Sequence, residues 1–81
     1  MVIVMDNDNF DLYEAIASNI KKYRKDAGIT QAELSERVGV SHEFIRRIES
    51  KRGTKTFSVD TLYKISLALD IDIKELFNFD K

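Results

Sequence analysis

The sequence predicts an all-α fold, and three observations support this. It has 81 residues with no proline, no cysteine and three glycines, so it is rich in helix formers and has no disulfide bridge. Apolar residues recur at steps of three and four, the period of an amphipathic helix. Capping residues and glycines stand at the ends of these periodic stretches. We therefore expect one compact domain of five short helices.

An apolar stripe at helical spacing marks the first helix: Leu12, Ile16, Ile20, Tyr23 and Ala27. Asn9 or Asp11 can cap its start, because a short polar side chain can accept a bond from an unpaired amide there. Gly28 follows the stripe, and a glycine readily adopts the left-handed conformation that often ends a helix.

The second helix begins with a capping box. In Thr30-Gln31-Ala32-Glu33, the threonine hydroxyl can accept from the Glu33 amide while the Glu33 carboxylate reaches back to the Thr30 amide. Leu34 and Val38 lie one turn apart and face inward. Gly39 ends this helix at a point where a tight turn needs a positive φ.

Ser41 caps a third helix with two distinct faces. Phe44, Ile45 and Ile48 are its apolar residues, and the small Ser35 of the second helix lets the two helices approach closely. The other side of the third helix is polar and points to solvent: His42, Glu43, Arg46 and Arg47. A helix of this kind is narrow enough to enter a DNA major groove.

Two more helices follow a polar loop over residues 50–57. Ser58 begins the fourth helix, and four of its residues are expected to face inward: Val59, Leu62, Ile65 and Leu69. Asp72 begins a short fifth helix, in which Asp72-Ile73-Lys74-Glu75 repeats the pattern of a capping box. This helix ends with the apolar residues Leu76, Phe77 and Phe79.

The first ten residues form an N-terminal arm ahead of a domain spanning residues 11–81. Met1–Met5 reads MVIVM, and its β-branched residues favour an extended strand. Two arrangements fit this segment. It can pair antiparallel with the same segment of a second copy, or it can pack on the fifth helix beside Phe77 and Phe79 or stay disordered.

The charge is unevenly distributed along the chain. The formal net charge is −1, yet residues 21–57 carry ten basic and five acidic residues, a local surplus of five positive charges. A basic region inside an acidic frame is typical of a protein that meets phosphates with one face. An ordinary solvated surface explains the same charges, so the distribution alone does not decide between them.

Several functional classes receive no support. No apolar run is long enough for a membrane span. His42 is the only histidine, and Asp6–Asn9 lacks the glycine and the last glutamate of a calcium loop. No acid–base pair or phosphate-binding glycine loop is apparent. We expect a cytoplasmic protein that is not an enzyme and uses no metal or cofactor.

The stretch ITQAELSERVGVSHEFIRRIES at residues 29–50 resembles the helix-turn-helix of the Cro/repressor (XRE) family of transcriptional regulators. The resemblance continues through NIKKYRKDAG before it and FSVDTLYKISLALDIDIKELF after it, and so covers residues 12–79. It implies a five-helix, lambda-repressor-like DNA-binding domain. It also implies a sequence-specific regulator, which we expect to be a repressor, bound as a homodimer to an imperfect palindrome of double-stranded DNA.

The resemblance also implies roles for single residues. Gln31 matches a position that bonds a phosphate, although it can also be an ordinary first-turn residue. His42, Glu43 and Arg47 match positions that read base edges. Arg47 can donate twice to guanine, and Glu43 can accept from cytosine. Phe44 is grouped with the residues that contact the DNA backbone. It can touch a sugar or, on a base, a thymine methyl, and partial burial in the core is an equal alternative.

The remaining basic residues are less specific. Those on the third helix and the following loop are candidate phosphate ligands or simply surface charges: Arg46, Lys51, Arg52 and Lys55. Arg24 and Glu49 match positions that commonly form an ion pair between the first and third helices. Asp70 stands where the family usually has glycine, at a helix end that needs a left-handed residue. An alternative function is a partner-binding module of the same fold, such as an antitoxin or an anti-repressor.

Overall fold

The computed structural model describes residues 11–50 and 57–79. In this part of the chain, four α-helices are followed by a 3-10 helix: α1 (Leu12–Asp26), α2 (Gln31–Val38), α3 (His42–Glu49), α4 (Val59–Leu69) and the 3-10 helix (Ile73–Phe77). The predicted all-α class is confirmed. The predicted fifth helix is a five-residue 3-10 segment between its Asp72 cap and Asn78, which fits the short lengths in which 3-10 helices occur. The Met1–Met5 strand prediction lies outside the described residues.

The helix starts agree with the capping residues predicted from the sequence. Asp11 accepts a hydrogen bond from the Glu14 amide at 3.1 Å and so caps α1. At α2 both halves of the Thr30–Glu33 capping box form, with distances of 3.0 and 2.8 Å. Ser41 and Ser58 cap α3 and α4 in the same way, each through an amide three residues later. These bonds satisfy amides that have no partner inside the helix.

Left-handed residues end the first, second and fourth helices. Gly28 has a φ of +73° and Gly39 a φ of +88°. Asp70 takes the same role with a φ of +58°, as expected from its position in place of a glycine. In the turn from α2 to α3, the amides of Gly39 and Val40 both donate to the Ser35 carbonyl, at 2.8 and 3.0 Å. This turn sets the direction in which α3 leaves α2.

The core lies where the helices converge. It consists of these buried apolar residues: Ile16, Ala17, Ile20, Ile29, Leu34, Ile45, Ile48, Leu62, Ile65, Leu69 and Leu76. Three predictions of inward-facing residues are wrong. Leu12 is 44% exposed, because it is the first residue of α1 and lies beyond the part of the helix that the core covers. Val59 is 72% exposed, because it is the first residue of α4 and projects at the end of the packed face. Ala27 follows the last turn of α1 and is exposed, and Ile29, two residues later, enters the core instead.

Polar contacts attach the 3-10 helix to α1. The Asn19 amide group donates to the Leu76 carbonyl at 2.9 Å and to the Asn78 carbonyl at 3.0 Å. The Tyr23 hydroxyl donates to Glu75 at 3.0 Å. These bonds hold Leu76 against the base of the core, so that α1 supports both the 3-10 helix and the α2–α3 pair.

Candidate nucleic-acid interface

The α2–α3 pair is a rigid unit because its inner sides are fully packed. Leu34 of α2 and Ile45 of α3 have no exposed surface, and Ile48 is 3% exposed. Ser35, at 5% exposure, donates its hydroxyl to the Ala32 carbonyl at 2.7 Å, so its polar group is satisfied within α2. The position of α3 is therefore set by the core and not by its outer side chains.

The outer face of α3 is polar and exposed along its whole length. Ile45, Ile48 and Glu49 are its buried residues, and the other face carries His42, Glu43, Arg46 and Arg47, all of them exposed. This face combines hydrogen-bond donors with one carboxylate acceptor. Base edges in a major groove present donors and acceptors of the same kinds, so the face has the chemistry needed to read them.

Glu43 and Arg46 contact one another on this face. Arg46 donates to Glu43 Oε1 from Nε at 3.2 Å and from Nη2 at 2.7 Å. The hydrogen bonds from the Arg46 guanidinium hold the pKa of the Glu43 carboxyl below its usual value, so the carboxylate stays charged to a lower pH than an ordinary glutamate does. The sequence predicts both residues on one face of α3, but with separate partners: a base for Glu43 and a phosphate for Arg46.

Arg47, unlike Arg46, has a side chain without a partner among the residues that the structure describes. Its side chain is exposed and makes no hydrogen bond or ion pair with the residues that the structure describes. Its planar fork of donors is therefore available to a ligand, and such a fork matches the paired acceptors of a guanine edge. His42 is the first residue of α3 and is also exposed, one helical turn before Arg46.

Gln31 lies at the start of α2, against a buried ion pair. Arg24 donates to the two Glu49 carboxylate oxygens at 2.7 and 2.9 Å. Gln31 Nε2 donates to Glu49 Oε1 at 2.9 Å. Gln31, which we predicted from the sequence to bind a phosphate, is thus held in place by Glu49. The Arg24–Glu49–Gln31 network joins α1, α2 and α3, so it could be predicted only from the relative packing of these helices.

The other predicted contact residues fall into two groups. Phe44 is half-buried and packs against the core, so that only part of its ring is accessible. Lys51, Arg52 and Lys55 lie outside the described residues. Within the described ranges, no group of three His, Cys, Asp or Glu residues can hold a metal ion, and no helix is long and apolar enough to cross a bilayer.

Comparison with known families agrees with this geometry. A helix-turn-helix family profile matches residues 20–76, which include α2, the turn and α3. The chain belongs to the XRE-type helix-turn-helix family. The family resemblance seen in residues 29–50 is thereby confirmed.

Individual regulators are similar to this chain in sequence and in structure. The transcriptional regulator SinR of Bacillus licheniformis is 36% identical over 63 residues, which are 78% of this chain and 56% of SinR. The chain therefore spans little more than half of that relative. The clp gene regulator ClgR of C. glutamicum superimposes with a TM-score of 0.77 at 29% identity, covering 85% of this chain and 87% of ClgR.

A third similar protein was solved with its ligand. It is the biofilm master regulator SinR in complex with DNA, with a TM-score of 0.69 and 35% identity, covering 78% of this chain and 98% of that one.

Proposed function

We propose that this protein is a sequence-specific DNA-binding transcriptional regulator that inserts α3 into the major groove. The observation that carries the proposal is the two-sided character of α3. Ile45 and Ile48 fix the helix in the core, while its opposite face is exposed and rich in hydrogen-bonding groups. The similarity to SinR, which was solved in complex with DNA, supports the same function.

The outer residues divide into two roles. His42, Glu43 and Arg47 read base edges, with Arg47 donating twice to a guanine and Glu43 accepting from a cytosine. Gln31 bonds a phosphate and fixes the register of the domain along the duplex. Phe44 touches the sugar beside this contact with the accessible part of its ring. Lys51, Arg52 and Lys55 stay predicted phosphate ligands.

We further propose that two copies bind together as a repressor. A homodimer places two α3 helices on half-sites about one DNA turn apart, roughly 34 Å, and so recognises an imperfect palindrome. Such a regulator works where the DNA is, which for a cell without a nucleus is the cytoplasm. The proposed role needs no cofactor and no catalytic step.

In vitro selection from random duplexes, followed by affinity measurements at several salt concentrations, tests this function. We expect one enriched sequence, an imperfect palindrome. We also expect log affinity to fall linearly with log salt concentration, because phosphate contacts release counterions. Specific binding should exceed nonspecific binding by at least about a thousandfold. Absence of an enriched sequence would contradict the proposal and favour the partner-binding alternative.

A further inference from the structure

We infer that Arg46 is a positioning residue for Glu43, and that the two side chains read one base pair as a unit. This inference rests on the proposed function, since it concerns how the same face of α3 selects its DNA sequence. It differs from the sequence-based expectation, in which Arg46 is a phosphate ligand independent of Glu43.

The geometry of the pair carries the first step. Both Nε and Nη2 of Arg46 point at a single atom, Glu43 Oε1, at 3.2 and 2.7 Å. The second carboxylate oxygen, Oε2, has no hydrogen bond with any residue that the structure describes. One oxygen of Glu43 therefore anchors the carboxylate, and the other remains available to accept from an outside donor such as a cytosine amino group.

The charge of the groove supplies the second step. Phosphates line both edges of a major groove, and a lone carboxylate entering it meets their negative field. With a guanidinium nitrogen 2.7 Å away, Glu43 enters as half of a neutral pair. The attraction is weak in water, where the two side chains are 58% and 63% exposed. It strengthens when bound DNA displaces that water.

The position of Arg46 supplies the third step. Its fork of Nε and Nη2 already faces a carboxylate three residues earlier on the same helix, in the arrangement that a guanidinium would otherwise offer to a phosphate. A phosphate can recruit this fork only by taking Arg46 away from Glu43. Arg47, by contrast, has no such partner among the described residues, so the two adjacent arginines have different roles.

The test uses four variants of the whole chain: Glu43→Gln, Arg46→Gln, the double variant, and Lys64→Gln. The last is the matched control, because Lys64 forms a similarly exposed i,i+4 pair with Asp60 at 3.3 Å on α4. Site preference is measured by in vitro selection and by affinity for single-base variants. Circular dichroism confirms that each protein is folded.

We expect Arg46→Gln to weaken discrimination about tenfold at the base pair that Glu43→Gln affects, with little change elsewhere. The double variant should show no further loss at that base pair, and the salt dependence should stay as in the wild type. Lys64→Gln should leave the preferred site unchanged.

Other results would overturn the inference. If Arg46→Gln keeps the wild-type preference and lowers the salt slope by about one, Arg46 is a phosphate ligand, and the proposed function still stands. If Glu43→Gln changes no base preference, Glu43 does not read the groove. If the wild type selects no sequence at all, the proposed function is contradicted, and so is the inference that Glu43 and Arg46 read one base pair together.

Discussion

Arg24 of α1 and Glu49 of α3 form a buried two-point ion pair, with N–O distances of 2.7 and 2.9 Å. The third guanidinium nitrogen, Nη1, donates to the Ile29 carbonyl at 2.8 Å. Gln31 of α2 adds a bond to the same carboxylate. The end of α3 is thereby connected to the two helices that precede it, and the charges are compensated in a buried site where the two side chains are 9% and 1% exposed.

Glu49→Ala should destabilise the fold by about 3–5 kcal/mol, because it leaves the Arg24 charge buried without a partner. Urea unfolding followed by circular dichroism measures this change. Replacing both residues by apolar ones, Arg24→Met with Glu49→Leu, should cost far less than the single change. Glu43→Ala is the exposed control and should cost less than about 1 kcal/mol. An equal loss of stability from Glu49→Ala and Glu43→Ala would contradict a special role for the buried pair.

Thr30→Ala should cost about 1 kcal/mol of stability, since the hydroxyl accepts from the Glu33 amide at 3.0 Å and caps α2. Ser18→Ala is a suitable control, because Ser18 is an exposed residue inside α1 where alanine is the better helix former. Thermal and urea unfolding should separate the two variants. A control that is as destabilised as Thr30→Ala would show that the cap contributes nothing specific.

Glu33 should make stability depend on pH in the acid range. Its hydrogen bond from the Thr30 backbone lowers the pKa of the carboxyl below the usual 4.5. A carboxyl with a lowered folded-state pKa stabilises the fold above its unfolded pKa, and this contribution is lost as the pH falls through the folded value.

Glu33→Gln keeps a capping side chain but cannot titrate. The stability difference between wild type and this variant should therefore be largest near neutral pH and shrink on going to about pH 3. Urea midpoints across this range measure it. A difference that stays constant with pH would contradict the role of the Glu33 charge.

Asp70→Gly should stabilise the protein by about 0.5–1 kcal/mol. Asp70 has a φ of +58° at the end of α4, a conformation that glycine adopts without steric cost. Asp60→Gly, in the first turn of α4, is the control of opposite sign, because glycine inside a helix costs about 1 kcal/mol. Stabilisation by both changes, or by neither, would argue against backbone strain at Asp70.

Arg47→Ala should weaken specific DNA binding by roughly 1–3 kcal/mol and relax the preference at one base pair. Arg47→Lys preserves the charge but removes the planar fork, so it should lose the same base preference while keeping the salt dependence. Affinities for the selected site and for its single-base variants measure both effects. An equal weakening on specific and random DNA would make Arg47 a phosphate contact.

Local signals in the sequence predicted the helices well. The Thr30–Glu33 capping box and the glycines at 28 and 39 are short-range features, and their physics is complete within a few residues. The left-handed conformation of Asp70, by contrast, follows from the family resemblance, because Asp70 stands where the family usually has glycine. Periodicity found the core face of each helix, but it says nothing about whether a neighbour covers the helix end, and Val59 is exposed for this reason.

Features that depend on packing were beyond the sequence. Asn19 reaches the carbonyls of Leu76 and Asn78, a contact between segments nearly sixty residues apart, for which no local pattern exists. Ile29 is buried outside any helix and so belongs to no periodic stripe. The Gln31–Glu49 bond depends on how α2 and α3 cross, and the Glu43–Arg46 bond on the choice of rotamers.

The separation of the two faces of α3 has a consequence for how such a protein diverges. Ile45 and Ile48 anchor the helix without help from His42, Glu43 or Arg47. The outward residues of α3 can therefore be exchanged in blocks while the scaffold keeps its stability. Under the proposed function, new operator preferences are accessible by changing the four outward residues His42, Glu43, Arg46 and Arg47, with no need to redesign the framework that carries them.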